Sequence, residues 1–477
     1  MPKIKKSIKR ILFCAAEAAP LAKVGGLADV VGSLPLALKK QKIEARVLMP
    51  AHSFISLKKI GAQKLASFSI IAAGKPEKVF LFKARVRGIT YYLLKNKHYF
   101  TGNVYEGDNC RKYLFFCRAV LTALPFLPFR PEIIHAHDFH AAPLIMELSR
   151  QARPKRPGLI LTIHNLQYQG WTENKTVAAF GFNKADFPDA ARSQDGQWLN
   201  LLSGGLVGAD KITTVSPNYA REILTPAYGQ GLEKLLRSRR HDLVGILNGL
   251  NLEEYNPEQD KLLAENYNQR QLQSGKALNK RAIKDYLGFA ADEAPLLVLI
   301  ARFSEQKGLD LFNCKLLGAL AKKYPFHLVL LGSGEKKYEA LAENLERNLP
   351  GNVRTIIAFS EPLAHNLYAA ADYFLVPSRF EPCGLTQMIA MHYGAVPIVR
   401  GTGGLKDTVK NNKTGLVFKN YSTSAFIQVL EKALRLYYQD RKKYQSLRLA
   451  GRKQNWSWAI SAPIYRQLYE GIDKSLK

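Results

Sequence analysis

Short apolar runs recur along the chain at spacings that suit a strand followed by a helix. In the first half, Ile11–Ala15, Arg46–Met49, Ile133–His135, Leu159–Ile163 and Ile212–Val215 are each bounded by polar or glycine-bearing segments and are read as strands. A stretch suited to a helix, Ala28–Lys40, follows the first of them. After Gly245-Ile246-Leu247-Asn248-Gly249 the pattern lapses into a polar, irregular stretch from Asn251 to about Lys276, read as an interdomain connection. It restarts with strand candidates Leu296–Ala301, Leu328–Leu331, Arg354–Ala358, Tyr373–Val376 and Val396–Val399, interleaved with helical stretches such as Gly308–Lys323 and Lys336–Asn348. Spaced aromatics, Trp458, Tyr465 and Tyr469, predict an amphipathic terminal helix over about Trp456–Leu476. This alternation predicts an α/β protein with two doubly wound domains and a cleft between them.

An internal echo supports the two halves. Gly25-Gly26-Leu27-Ala28-Asp29-Val30-Val31 and Gly403-Gly404-Leu405-Lys406-Asp407-Thr408-Val409 each follow a strand-like run and open a helical segment. A glycine pair at such a junction lets backbone amides turn toward a ligand, where a helix N-terminus favours an anion. Only the first echo has a lysine just before it, Lys23, which makes it the better candidate for the reacting end of an anionic ligand.

Charge changes the picture more than overall composition does. Lys and Arg number 69 against 39 Asp and Glu, a formal net charge of +30. Such a balance attracts nucleic acid, anionic membrane or a nucleotide-linked substrate. No RRM, zinc-finger or basic-zipper pattern organises nucleic-acid binding, so a basic solvated surface is the plainer reading. The five cysteines form no CxxC pair, which argues against a zinc knuckle or a disulfide framework and fits the reduced cytoplasm. The N-terminal cations Lys3, Lys5, Lys6, Lys9 and Arg10 mimic a signal peptide, but the apolar run after them stops at Glu17, too short for one. No segment approaches the ~20 apolar residues of a membrane span. The sequons at Asn174 and Asn412 are read as chance matches.

Ligands of doubly wound sheets bind beyond the carboxyl ends of the strands. The polar groups after the first-half strands, among them Glu17, Lys23, His137, Asp138, His164 and Asn165, should therefore share one rim. His135-Ala136-His137-Asp138-Phe139-His140 reads as a sugar-binding rim or, alternatively, as a metal cluster. On a continuing strand His135 and His137 would share one face and Asp138 the other. In the second half, Arg302 and Lys307 lie on the loop after Leu296–Ala301; two fixed cations there can neutralise a departing diphosphate without a metal. Pro377 to Gln387 is a strand-to-helix crossing stiffened by Pro382, with Glu381 held at the rim and Gly384-Leu385-Thr386 opening the next helix. Cys383 is either a nucleophile or, lacking a partner histidine motif, a lining residue.

Taken in order, Lys23 to Leu27, His135 to His140, Thr162-Ile163-His164-Asn165, Ile246 to Gly249, Gln306 to Asp310, Arg379 to Gln387 and Thr402 to Leu405 resemble bacterial glycogen synthase and plant starch synthase. The resemblance runs from about Ile11 to Tyr469 and implies a GT-B fold of two Rossmann-like domains. It implies a catalytic, acceptor-side domain at 1–247, a nucleotide-sugar domain at 248–455 and a terminal helix, 456–477, returning toward the first domain. The implied reaction transfers glucose from ADP-glucose to the non-reducing end of an α-1,4-glucan such as glycogen, with retention at the anomeric carbon and with neither metal nor cofactor. Among catalytic candidates, Lys23 matches the family lysine on the diphosphate, and Arg302 and Lys307 match the pair that stabilises leaving ADP. Asp138 and His164 match residues lining the glucose and the reaction centre, and Glu381 matches the loop around the donor glucose. The binding set adds Gly25, Gly26, Asn248, Cys383, Gly384, Leu385 and Thr386. Ile389 stands where many other retaining GT-B transferases carry a second glutamate, a departure shared with glycogen and starch synthases. Asn251 replaces a frequent family aspartate, and Tyr99-Phe100-Thr101-Gly102-Asn103 lacks the usual aromatic-Asp-Arg run. Two readings compete: a retaining transferase with another donor or acceptor, and a glucan- or nucleic-acid-binding protein on a transferase scaffold.

Overall fold

The computed structural model describes residues 9–151, 156–187 and 192–474. The cations at 3–6 and the end of the expected terminal helix lie outside these residues. The chain forms two compact units, Met1–Gly249 with Trp458–Lys477, and Leu250–Ser457.

The strands of the first unit are β1 (Arg10–Cys14), β2 (Glu44–Pro50), β3 (Gln63–Ala72), β4 (Lys75–Val86), β5 (Ile89–Lys95), β6 (Ile133–His137), β7 (Gly158–Ile163), β8 (Trp171–Glu173), β9 (Trp198–Asn200), β10 (Lys211–Thr214) and β11 (Leu243–Gly245). Nine of them form one sheet in the order β11-β10-β7-β6-β1-β2-β5-β4-β3, while β8 and β9 pair separately. The strands from β11 to β5 run parallel, and β4 and β3 add antiparallel edges. Strands β1, β6 and β7 are apolar along most of their length and almost wholly buried, as a sheet covered on both faces requires. The β3–β5 meander is absent from the expected strands. In β3 and β4 exposed, half-buried and buried positions are mixed and lysines interrupt the apolar ones, so no continuous apolar run marks them. By contrast, β5 is buried over Tyr91–Leu94 and carries an apolar run that the sequence reading passes over.

The terminal helix Trp458–Lys474 packs into this unit. Trp458, Tyr465, Tyr469 and Ile472 join its core, and Trp458 Nε1 donates to Ser33 Oγ at 2.8 Å. Each such buried side chain contributes about 1.5–3 kcal/mol.

The second unit carries β12 (Leu296–Ile300), β13 (His327–Gly332), β14 (Val353–Ile357), β15 (Tyr373–Val376), β16 (Val396–Arg400) and β17 (Leu416–Phe418), all parallel, in the order β14-β13-β12-β15-β16-β17. Two expectations need correction here. The polar connection is shorter than expected, because the helix Leu272–Leu287 begins before Lys276. The helix expected over Gly308–Lys323 is broken: Gly308 is left-handed (φ 75°), a short turn Leu309–Leu311 follows, and the helix proper is Cys314–Lys323, capped by Asn313. A side chain at Gly308 would sit 2.2 Å from the Pro377 carbonyl, which is why the break falls there.

In both sheets the strand order reverses beside the first strand of the unit: between β6 and β1 in the one, between β12 and β15 in the other. Loops leaving those four strands are the ones an α/β sheet offers to a ligand.

Candidate active site

In the first unit, Glu17 follows β1 and is 1% exposed. Its carboxylate accepts from the Val24 N–H (2.5 Å), the Gly25 N–H (3.3 Å) and the Tyr105 hydroxyl (2.8 Å). Burial pushes its pKa up to about 7 against those three hydrogen bonds, which hold it down. Two amides at the first glycine junction are therefore engaged by a side chain of the protein itself. Gly25 caps the helix Gly26–Lys40 in extended conformation, φ −149°, and Lys23 pairs with Asp29 of the first helical turn at 2.7 Å.

Strand β6 ends at His137, and Asp138 turns into the left-handed region (φ 55°). The alternation expected of a continuing strand thus stops one residue short of Asp138, whose backbone N–H bonds the Thr162 carbonyl instead. Its Oδ1 accepts the His164 backbone N–H at 2.7 Å. Burial raises the Asp138 pKa to about 7; the backbone N–H groups of His164 and Asn165 oppose the rise, and Glu17 adds to it.

The histidines are occupied with one another and with hydroxyls. His135 Nδ1 lies 3.0 Å from the Tyr469 hydroxyl and its Nε2 2.6 Å from Thr162 Oγ1. His137 Nδ1 lies 2.9 Å from His164 Nε2. Burial lowers the pKa of each of these rings, to about 3 for His135 and His164. Among the described residues no group of three or more His, Cys, Asp or Glu side chains is arranged to hold a metal ion, so the alternative reading of this segment as a metal cluster gains no support. Asn248, also in this unit, is buried, and its Oδ1 meets no donor.

In the second unit, β12 and β15 are neighbours, so the loops that leave them meet. Arg302 is exposed. Lys307 Nζ lies 2.7 Å from Glu381 Oε2, and the Ser378 hydroxyl donates to the same oxygen at 2.8 Å. Backbone and side-chain bonds tie the two loops together: Arg379 N–H to the Gln306 carbonyl (2.8 Å) and Gln306 Nε2 to the Phe380 carbonyl (3.1 Å). Glu381 and Cys383 are buried, while Gly384, Leu385 and Thr386 are half-buried where the helix Thr386–His392 begins. The second glycine junction packs against this loop. Gly404 donates its N–H to the Glu381 carbonyl at 2.9 Å, and Gly403 is left-handed (φ 47°).

The structure thus joins Glu17, Lys23, Gly25, Gly26, Asp138 and His164 to the β1, β6 and β7 ends of one sheet, and Arg302, Lys307, Glu381 and Cys383 to the β12 and β15 ends of the other. Two partners escaped the sequence reading. Tyr105 lies two residues beyond the Tyr99–Asn103 segment that departs from the family pattern, and nothing in the motifs read from the sequence pointed to it. Ser378 had no signal beyond its nearness to Glu381.

Residues 10–238 match the starch synthase catalytic domain family, and residues 283–454 match glycosyl transferases group 1. Glycogen synthase of Anoxybacillus flavithermus is 38% identical over 97% of this chain and 98% of its own length. Glycogen synthase 2 of Geobacter sulfurreducens is 39% identical over 96% and 98%. Among solved structures, the catalytic domain of starch synthase IV from Arabidopsis thaliana, bound to ADP and acarbose, superposes with a TM-score of 0.91 at 31% identity, covering 98% of this chain and 100% of that one. Sucrose-phosphate synthase from Thermosynechococcus elongatus shares the fold at a TM-score of 0.64 and 18% identity, over 98% and 100%. With its two α/β units, its full-length likeness to these enzymes and its GT-B architecture, the chain belongs to the glycogen and starch synthase family of glycosyltransferases.

Proposed function

We propose that this enzyme transfers glucose from ADP-glucose to the non-reducing end of an α-1,4-glucan, with retention of configuration. The observation that carries this reading is the Lys307–Glu381 pair beside Arg302, at the switch point of a parallel sheet in a chain whose relatives are glycogen synthases along their whole length. Arg302 and Lys307 supply the charge that stabilises departing ADP, and Lys23, in the first unit, is a further cation suited to a diphosphate. Glu381, anchored through Oε2, turns its other oxygen to the donor glucose. Asn248, with its unpaired buried Oδ1, suits a sugar hydroxyl. The half-buried Gly384, Leu385 and Thr386 offer a helix start to phosphate and ribose.

Neither carboxylate is placed as a free nucleophile: Asp138 is bonded to the His164 backbone and Glu381 to Lys307 and Ser378. This favours attack on the face from which ADP leaves. The bond from the anomeric carbon to the phosphate oxygen breaks, the bond to the acceptor oxygen forms, and the acceptor proton passes to the departing phosphate. A trapped glucosyl-enzyme in the wild type would overturn that path.

For the acceptor, the β8–β9 ribbon follows the His164 loop and exposes Trp171 and Trp198, with Tyr168 exposed before it. Aromatic faces of this kind suit the apolar faces of successive glucose rings. The five free cysteines fit action in the cytoplasm, and no described helix is long and apolar enough to cross a membrane.

ADP release from ADP-glucose, measured with and without glycogen, tests the proposal. Glycogen-dependent release is expected. Release only from another nucleotide sugar would assign a different transferase.

A further inference from the structure

We propose that His137 is the positioning residue of His164: it donates its Nδ1–H to His164 Nε2 and so fixes His164 as the tautomer protonated at Nδ1. The inference rests on the reading of His164 as a residue of the reaction centre.

The two nitrogens are 2.9 Å apart, and a neutral pair at that distance shares one proton. The far side of His137 decides which ring supplies it. His137 is fully buried, and its Nε2 meets no partner. A proton there would leave a buried N–H unpaired, whereas a proton on Nδ1 leaves only an unused lone pair. Orphaned buried donors are rarer in folded proteins than under-used acceptors. The proton therefore sits on Nδ1 and points at His164.

The His137 ring is held in that orientation from both sides. It stacks on His135 with centroids 4.6 Å apart and 21° between planes, and Phe13 meets it edge-on at 5.3 Å. His135 is itself pinned by the Tyr469 hydroxyl and Thr162 Oγ1, and Thr162 is bonded on to Thr213. The next residue, Asp138, grips the backbone of His164, so successive residues of one strand end fix its ring and its main chain. Burial keeps both rings neutral, which preserves the single shared proton.

The chemical consequence is specific. The Nε2 lone pair of His164 is already used, so His164 acts as a hydrogen-bond donor through Nδ1–H and not as a base through Nε2. The first two histidines of His135-Ala136-His137-Asp138 then have a role that substrate contact does not require: they form a column that orients a third histidine on the neighbouring strand.

The test is a two-bond proton–nitrogen correlation spectrum of the full chain labelled with 15N-histidine at neutral pH, with His164 assigned from the His164→Gln variant. An unprotonated Nε2 on His164 is expected; a protonated Nε2 overturns the proposal. In parallel, His137→Leu should lower turnover about 100-fold while leaving the KM for ADP-glucose within about threefold. His137→Asn, whose amide nitrogen can occupy the Nδ1 position, should recover to within about tenfold of wild type and keep the wild-type His164 signal. Equal impairment of both variants with an unchanged His164 signal would also overturn it. The spectrum is read without turnover, so an enzyme that failed to use ADP-glucose would defeat the functional reading and leave the tautomer decided.

Discussion

Gly25-Gly26-Leu27 and Gly403-Gly404-Leu405 have the same spelling and opposite physics. The first is open: Val24, Gly25 and Gly26 are exposed, and a side chain at Gly25 would meet nothing closer than Glu17 Oε1 at 3.8 Å. The second is filled: a Cβ at Gly403 would lie 1.8 Å from the Glu381 carbonyl oxygen, and one at Gly404 2.2 Å from that of Cys383. In the first junction glycine keeps backbone amides within reach of an acceptor, and an internal carboxylate takes two of them. In the second, glycine lets one loop lie on another, so the Glu381 carbonyl receives the Gly404 amide. One tripeptide thus serves access in one unit and close packing in the other.

The sharpest way to break this contrast is Gly403→Ala. The collision with backbone and the left-handed φ should cost about 4 kcal/mol and remove activity with it. Thermal unfolding reads the loss, and a wild-type melting temperature would show that the second junction is not packed as described.

Next in size is the pH dependence tied to Glu17, whose pKa rises from 4.5 to about 7 on folding. Between those values the folded chain holds a proton that the unfolded chain has lost. Its contribution is therefore fully present below pH 4.5 and is lost as pH rises to about 7. Glu17→Gln should flatten that decline by about 3 kcal/mol, seen in denaturant midpoints across the window. An unchanged slope would mean that the carboxylate stays ionised throughout.

Lys23→Ala should lower turnover about 100-fold and weaken donor binding while leaving the melting temperature nearly unchanged. Wild-type kinetics would remove Lys23 from the mechanism and leave it a structural role such as its ion pair with Asp29. Smallest of all, Gly25→Ala should change stability by less than about 0.5 kcal/mol, because neither space nor φ opposes a methyl group there. A large loss in the melting curve would erase the distinction from Gly403.

Much of this was legible in the sequence because buried parallel strands announce themselves as apolar runs, and the groups at their ends follow directly. Strand order was not legible. Lys307 and Glu381 meet because β12 and β15 are neighbours, a fact of topology that no local pattern carries. Strands β3 and β4 escaped because half-exposed antiparallel strands interrupted by lysines do not look like buried parallel ones, whereas β5, buried and parallel to β2, escaped although its Tyr91–Leu94 run does. Asp138 was placed by strand alternation, which its left-handed turn ends. The amides beside Gly25 were expected to face a ligand; that Glu17 already bonds two of them depends on a side chain eight positions upstream folding back on the loop.

The terminal helix has a consequence for synthesis. Leu250–Ser457 lies between two segments of the first unit, and the segment that finishes that unit leaves the ribosome after it. The second unit can complete its core while the first still lacks Trp458, Tyr465, Tyr469 and Ile472. Until they arrive, the site beside Ser33 is open and the Tyr469 hydroxyl is missing from His135. The order of emergence reverses the usual N-terminal-first sequence of domain folding, and the nascent first unit must stay out of trouble for more than two hundred residues of elongation, Leu250 to Ser457.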